Sequence, residues 1–176
     1  MALKPTIYKL RIALSDLERN YYDTLNLTVA LHPSETPERM MARVLAYCIH
    51  AQEGLSFAKG LSEVEEPDIW LRTMDDRTLL WIELGEPAHD RVKKASRLAE
   101  RVLIYSFNSK SDVWWQQGRS KLNMLNAEFF RFDYLKIEEF ANMLSRTMDI
   151  SVTITGESAY IATAQGAVEI GWSGLT

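Results

Sequence analysis

The stretch "EPDIWLRTMDDRTLLWIELGEP", residues 66–87, decides how this chain folds. Two runs of aliphatic, aromatic and β-branched residues flank Asp75 and Asp76, so the stretch predicts two strands joined by a tight turn. With the two aspartates as a two-residue loop, Met74 faces Arg77, and counting outward pairs Thr73 with Thr78, Arg72 with Leu79 and Leu71 with Leu80. The count continues with Trp70 opposite Trp81, Ile69 opposite Ile82 and Asp68 opposite Glu83. Opposed residues share a face. One face therefore carries Ile69, Leu71, Leu80 and Ile82, and the other carries both tryptophans and the two acids.

Outward from the hairpin, "AHDRVKKASRLAER" predicts a helix that is capped by Asp90 or starts just before it, with Val92, Ala95, Ala99 and Val102 on its inner stripe. "RVLIYSFNS" follows as a strand with few charges, as buried strands have. Strand, helix and strand in close succession imply a right-handed parallel crossover. Upstream, the alternating segments Ile7 to Leu14 and Thr24 to Leu31 predict an antiparallel pair. A helix then starts with Thr36 as N-cap and Pro37 at its first position and stops at Gly54. Downstream come a helix over "SKSDVWWQQGRSKLN" capped by Ser111 or Asp112, a strand over "AEFFRFDYL" and a helix over "KIEEFANMLSRTM". "ISVTITGESAYIATAQGAVEI" supplies two or three more strands with turns at Gly156 and Gly166. Hairpins together with a crossover predict an α/β or α+β fold around a mixed central sheet, in a single domain over residues 1–176.

With 176 residues, 47% of them hydrophobic, the chain can bury a substantial core. The formal net charge of −4 gives no global field to gather nucleic acid, so a nucleic-acid site would need a local basic patch. Its single cysteine, Cys48, excludes an internal disulfide and suits packing; no disulfide-linked partner is expected. No apolar run is long enough to span a bilayer and the N-terminus has no uninterrupted apolar signal region, which favours the cytoplasm and no membrane partner. His32, His50 and His89 lie far apart without zinc-ligand spacing.

Asp68 and Glu83 are the candidate chemistry. Opposed strand residues hold their Cβ atoms about 4.5–5.5 Å apart, where like charges destabilise. The plain outcome is that both side chains fan into solvent at the hairpin's open end. The other is a compensating cation: Mg²⁺ or Mn²⁺ takes one or two carboxylates together with water. Glu83 ends a strand that leads into a crossover, the edge where open α/β sheets place ligands. Glu38 shares the apolar stripe of the first helix and is a candidate third metal ligand, or an acid complementing the helix dipole; Glu35 is the lesser candidate.

The motifs "HPSETPERMMARVLAY", "EPDIWLR", "LLWIELGEP", "VKKA" and "VWWQQ", in this order and with the N-terminal "MALKPTIYKL", resemble the YaeQ family over essentially the whole chain. The resemblance implies a divergent PD-(D/E)xK, restriction-endonuclease-like core, with a central mixed sheet flanked by helices and extra antiparallel strands at both ends. Pro67 and Asp68 match the "PD" and Glu83 the "(D/E)", while Glu38 is the candidate for the acid that the preceding helix often supplies. The lysine does not match, because Gly85 stands two residues after Glu83. Some members of that fold supply the lysine from the following helix, which offers Lys94, flanking the inner stripe, or Lys93, nearly opposite it.

The function implied is a Mg²⁺-dependent nuclease or nucleic-acid-processing protein. Asp68 and Glu83 would hold the metal with Glu38, and Lys94 or Lys93 would orient the attacking water. Arg72 on the acidic face of the hairpin, and Arg119 and Lys121 after Trp114 and Trp115, would touch DNA or RNA phosphates, although surface charge next to core tryptophans explains the last group more simply. The alternative is a binding or regulatory protein that kept the nuclease-like fold and lost the lysine.

Overall fold

The computed structural model describes residues 3–176, and strands and helices make up most of it. Met1 and Ala2, which open the N-terminal motif quoted above, lie outside the described residues. In chain order the elements are β1 (Thr6–Asp16), β2 (Tyr21–Leu31), α1 (Pro37–Ile49), β3 (Ser56–Phe57), a 3-10 turn (Gly60–Ser62), β4 (Ile69–Arg72) and β5 (Thr78–Leu84). Then follow α2 (His89–Leu98), β6 (Ala99–Ser106), α3 (Ser111–Leu122), β7 (Glu128–Phe132), α4 (Tyr134–Ala141), β8 (Thr147–Thr155), β9 (Ser158–Thr163) and β10 (Gly166–Leu175). The fold is mixed α/β, with antiparallel strand pairs outnumbering parallel ones. The chain divides into two compact units: residues up to Ile49 with Asp133–Trp172, and His50–Phe132 with Ser173–Thr176.

In the first unit the strands run in the order β2, β1, β8, β9, β10. β1 buries Leu10, Ile12 and Leu14 and exposes Lys9, Arg11 and Ala13, the period-two pattern of a sheet with one covered face. It pairs antiparallel with β2 from Thr6↔Leu31 to Asp16↔Tyr21, the opening pair that the alternation predicts. Helix α1 starts as expected, with Pro37 first and Thr36 Oγ1 accepting the Arg39 N–H at 3.2 Å. It stops at Ile49, short of the predicted Gly54. Gly54 (φ +87°) instead lies within a separate turn, closed by Leu55 N–H on the Gln52 carbonyl.

Arg43 is buried on α1, and it is tolerated there because Glu35 accepts from its Nε and Nη2 at 2.7 Å each. Helix α4 begins at Tyr134, capped by Asp133, and ends well before the predicted Met148, because β8 takes Thr147 onward to pair with β1.

In the second unit the order is β7, β6, β5, β4, β3. β5, β6 and β7 are parallel neighbours, linked by α2 and α3, and β4 pairs antiparallel with β5. The predicted hairpin register is found at Leu71↔Leu80, Trp70↔Trp81 and Ile69↔Ile82, but it fails at the tip. Arg72 pairs with Thr78, so Leu79 is an extra, bulged residue. The loop is correspondingly longer than two residues: Thr73 and Arg77 exchange hydrogen bonds across it, and Asp76 adopts φ +64°.

Helix α2 ends at Leu98, so Ala99 and Val102 belong to β6 and not to the helix stripe. All four residues nevertheless meet in one core cluster with Trp81, Ile104, Trp115, Leu122 and Phe129. At α3 the cap position falls on Lys110 without a side-chain bond, and Ser111 is the first helical residue, its hydroxyl bonded to Ser106. Among the described residues no helix is long and apolar enough to cross a membrane.

Candidate functional site

Along β5 the side chains alternate, so Trp81 and Glu83 share a face while Ile82 and Leu84 take the other. Trp81 is packed in the core cluster with Val92 and Ala95 of α2, and Glu83 is drawn under the start of that helix. The residue is 5% exposed and both carboxylate oxygens are engaged: Oε1 accepts the Trp81 indole N–H at 3.1 Å, and Oε2 accepts Arg91 Nε at 2.7 Å. Arg91 stands in the first turn of α2. Its other two nitrogens donate to the carbonyls of Val64, at 2.7 Å, and Glu66, at 3.1 Å.

Asp68 lies just before β4 and is 2% exposed. Its Oδ2 accepts the Leu84 N–H at 2.8 Å, its own N–H donates to the Ile82 carbonyl, and its carbonyl accepts from Ala58. Asp68 Oδ2 thus reaches the backbone next to Glu83, and both acids are buried instead of fanning into solvent. Loss of water pushes the Glu83 carboxyl pKa above its usual value, the Arg91 hydrogen bond and charge pull it down, and the negative charge of Asp68 pushes it up again. The net direction is up: desolvation outweighs the attraction of Arg91, as is common for buried pairs.

The residues from Lys59 to Glu66 lie against this pair. Gly60 (φ +52°) donates its N–H to the Pro67 carbonyl at 3.0 Å, and a Cβ at Gly60 would stand 2.7 Å from Asp68 Oδ1. Only glycine permits that approach. Farther along, Glu65 receives Lys94 Nζ on both oxygens, at 2.7 and 2.6 Å, in an exposed ion pair.

The lysines expected beside the acids are thus elsewhere. Lys94 is bonded to Glu65, Lys93 is exposed, and the cation on Glu83 is Arg91. The sequence does carry a signal for this. At about 100° per residue, Arg91 lies closer to the stripe of Val92 and Ala95 than either lysine does, and a signature that names only lysine passes over it. Gly85 also acquires a reason. It adopts φ +113°, with its N–H on the Tyr105 carbonyl at 2.8 Å, where a lysine would be strained.

Glu38 is half-buried in the opening turn of α1 and belongs to the first unit, whereas Asp68 and Glu83 belong to the second. Glu35, the lesser candidate, is committed to Arg43 and Arg39. Arg72 stacks over the Trp70 ring at 4.6 Å and reaches the Asp76 carbonyl. Arg119 and Lys121 are exposed near the end of α3. Trp115 is buried and Trp114 half-buried, both against Phe129, with their indole N–H groups on the carbonyls of Thr176 and Pro87. They are core residues.

Among the described residues no group of three or more His, Cys, Asp or Glu is arranged to hold a metal ion. The donor set agrees: both Glu83 oxygens and Asp68 Oδ2 already accept N–H groups, and Gly60 closes on Asp68 Oδ1. A divalent cation at Glu83 would have to displace Arg91 from Oε2.

The YaeQ protein family model matches residues 1–172. A Salmonella typhi protein, "Uncharacterized protein YaeQ", is 41% identical over 172 residues, covering 97% of this chain and 95% of the relative. Its Escherichia coli (strain K12) namesake is 39% identical over the same length. The crystal structure of the YaeQ protein from Pseudomonas syringae superposes with a TM-score of 0.93 at 35% identity, covering 98% of this chain and 96% of that one. The YaeQ protein from Xanthomonas axonopodis pv. citri gives the same TM-score at 30% identity, with 97% of each chain covered. Family match, relatives and solved structures agree across nearly the full length, and the chain belongs to the YaeQ family.

Proposed function

We propose that this chain is a binding or regulatory protein on a PD-(D/E)xK-like nuclease framework, in which an internal arginine has taken the place of a catalytic metal and lysine. The observation that carries this is Arg91: its guanidinium is bonded to Glu83 and to the carbonyls of Val64 and Glu66. An arginine stays charged at any physiological pH. A cation approaching Glu83 must therefore displace a permanent one. Gly85 at φ +113° and Lys94 bonded to Glu65 support the same reading, since neither supplies an ammonium to the acids. Nucleic acid, DNA or RNA, is the partner class that the framework suggests, and the cytoplasm the setting.

The test is calorimetric titration with Mg²⁺ and Mn²⁺, followed by incubation with single- and double-stranded DNA and RNA in either metal. The expected outcome is no cleavage and no metal-dependent heat. Cleavage by the wild type that Asp68→Ala and Glu83→Ala abolish would overturn it.

A second reading, the Mg²⁺- or Mn²⁺-dependent nuclease, is favoured by one observation. Asp68 and Glu83 are both buried acids, the charge of Asp68 acts on Glu83, and Glu83 stands near the end of a strand that leads into a crossover helix. In that reading they hold the ion, and Lys94 or Lys93 serves the water. Arg72, Arg119 and Lys121 then contact phosphates.

A further inference from the structure

The residues from Gly60 to Glu66 are joined to the acid pair at two places. Gly60 sits on Asp68 Oδ1 at a distance that leaves no room for a Cβ. At the other end, Arg91 donates to Val64 and Glu66 with the same guanidinium that neutralises Glu83. Between these points the segment is a 3-10 turn followed by short-range bonds, Ser62 N–H on Lys59, and Glu63 N–H on Gly60. It buries no residue within that turn, and it leaves Leu61 46% and Val64 73% exposed. The segment therefore has little apolar burial to hold it down. Its attachment is polar, and Arg91 is the residue common to strap and acid pair.

We propose that residues 60–66 form a strap latched over Asp68 and Glu83 by Arg91, so that closure of the strap and access of a divalent cation to the acid pair exclude one another. This rests on the reading that Arg91 substitutes for a metal, and deepens it. The planar fork is what makes the latch. Its Nε serves the carboxylate while its two terminal nitrogens serve two backbone carbonyls, and one lysine ammonium cannot reproduce that spread. Any cation that takes Glu83 from Arg91 weakens the hold on Val64 and Glu66 in the same step, and loosening the strap frees the carboxylate. The Lys94–Glu65 pair lies on the same segment but is exposed on both sides, so it contributes little.

The experiment is amide hydrogen exchange on the full chain, read by mass spectrometry, for wild type, Arg91→Lys, Arg91→Ala and Lys94→Ala. Arg91→Lys keeps the charge on Glu83 and is the variant of choice should Arg91→Ala fold poorly. In both Arg91 variants exchange across residues 60–66 is expected to rise at least tenfold more than exchange in β6, which reports any loss of global stability, whereas Lys94→Ala leaves the strap at the wild-type rate. Millimolar Mn²⁺ is expected to raise the melting temperature of Arg91→Ala by several degrees and that of the wild type by less than one.

Strap exchange at the wild-type rate in Arg91→Lys would overturn the latch. An equal Mn²⁺ response in wild type and Arg91→Ala would overturn the exclusion. Nuclease activity in the wild type would count against the proposed function alone, because strap exchange is read without metal or substrate.

Discussion

Arg91 Nε lies 2.7 Å from Glu83 Oε2, and the two residues come from consecutive elements, α2 and β5. The side chain of Glu83 is 7% exposed and that of Arg91 32%. Removing one partner of a buried pair costs about 3–5 kcal/mol, and the partial exposure of Arg91 brings the expected loss for Arg91→Ala to about 2–3 kcal/mol. Urea denaturation of the wild type and variant measures it. A loss below about 0.5 kcal/mol, the scale of exposed pairs, would mean that solvent already screens the contact.

Gly60→Ala tests the close approach over Asp68. The new methyl group would meet Oδ1 at 2.7 Å and Gly60 has φ +52°, so strain and contact act together. A cost of about 1–3 kcal/mol is expected, read as a fall in melting temperature. A neutral substitution would show that the strap moves aside at no cost.

Gly85→Lys places a lysine where the nuclease signature has one. No heavy atom lies within 4 Å of the Cβ position, so the penalty is conformational, from φ +113°, and not steric. The expected loss is about 1–3 kcal/mol with no nuclease activity gained. Metal-dependent cleavage by this variant would revive the catalytic reading.

Cys48 is expected to be inert in the native protein. Burial pushes its thiol pKa up to about 12, although the charge of Arg19 lowers it somewhat. The thiolate is the reactive form, so alkylation at pH 8 should be about a thousandfold slower in the native than in the unfolded protein. The sign for stability follows. The native state holds this proton more tightly, so the contribution is complete below the unfolded thiol's pKa and is lost as pH rises toward about 12. Rapid labelling of native protein by iodoacetamide would contradict the burial.

Glu35 closes a buried ion cluster in the first unit, with Arg43 at 2.7 Å and Arg39 at 2.8 Å. Glu35→Ala would leave Arg43 buried without its carboxylate, at a cost of about 3–5 kcal/mol measured by denaturant unfolding. Replacing Arg43 and Glu35 together by apolar residues should recover much of that loss, since the pair's own desolvation disappears with it.

Much of the second unit is legible in the sequence because hydrophobic period and turn chemistry agree there. The Trp70–Trp81 and Ile69–Ile82 pairings follow from counting, and α2 from its Val92 and Ala95 stripe. The hairpin tip is not legible: a bulge at Leu79 changes no apolar pattern, and only the backbone of Thr73 and Asp76 reveals it. The end of α1 misleads because Gly54 is a turn residue whichever element precedes it. At the site, the placement of Asp68 and Glu83 at one end of the hairpin is readable from register alone. Their counter-ion is not, because the signature that draws attention to the acids names a lysine and the cation is an arginine. The strap is invisible, since "KGLSEVEE" has neither helical nor strand period and its position depends on hydrogen bonds from a helix about thirty residues away.

That an arginine of this chain, and no metal, neutralises the acid pair is tested most directly by a crystal of the wild-type protein soaked in Mn²⁺, with anomalous scattering recorded at the manganese edge. The expected result is the Arg91 guanidinium on Glu83 and no anomalous peak between Glu83 and Asp68. A peak at about 2.0–2.2 Å from oxygens of both carboxylates, with Arg91 displaced, would contradict it.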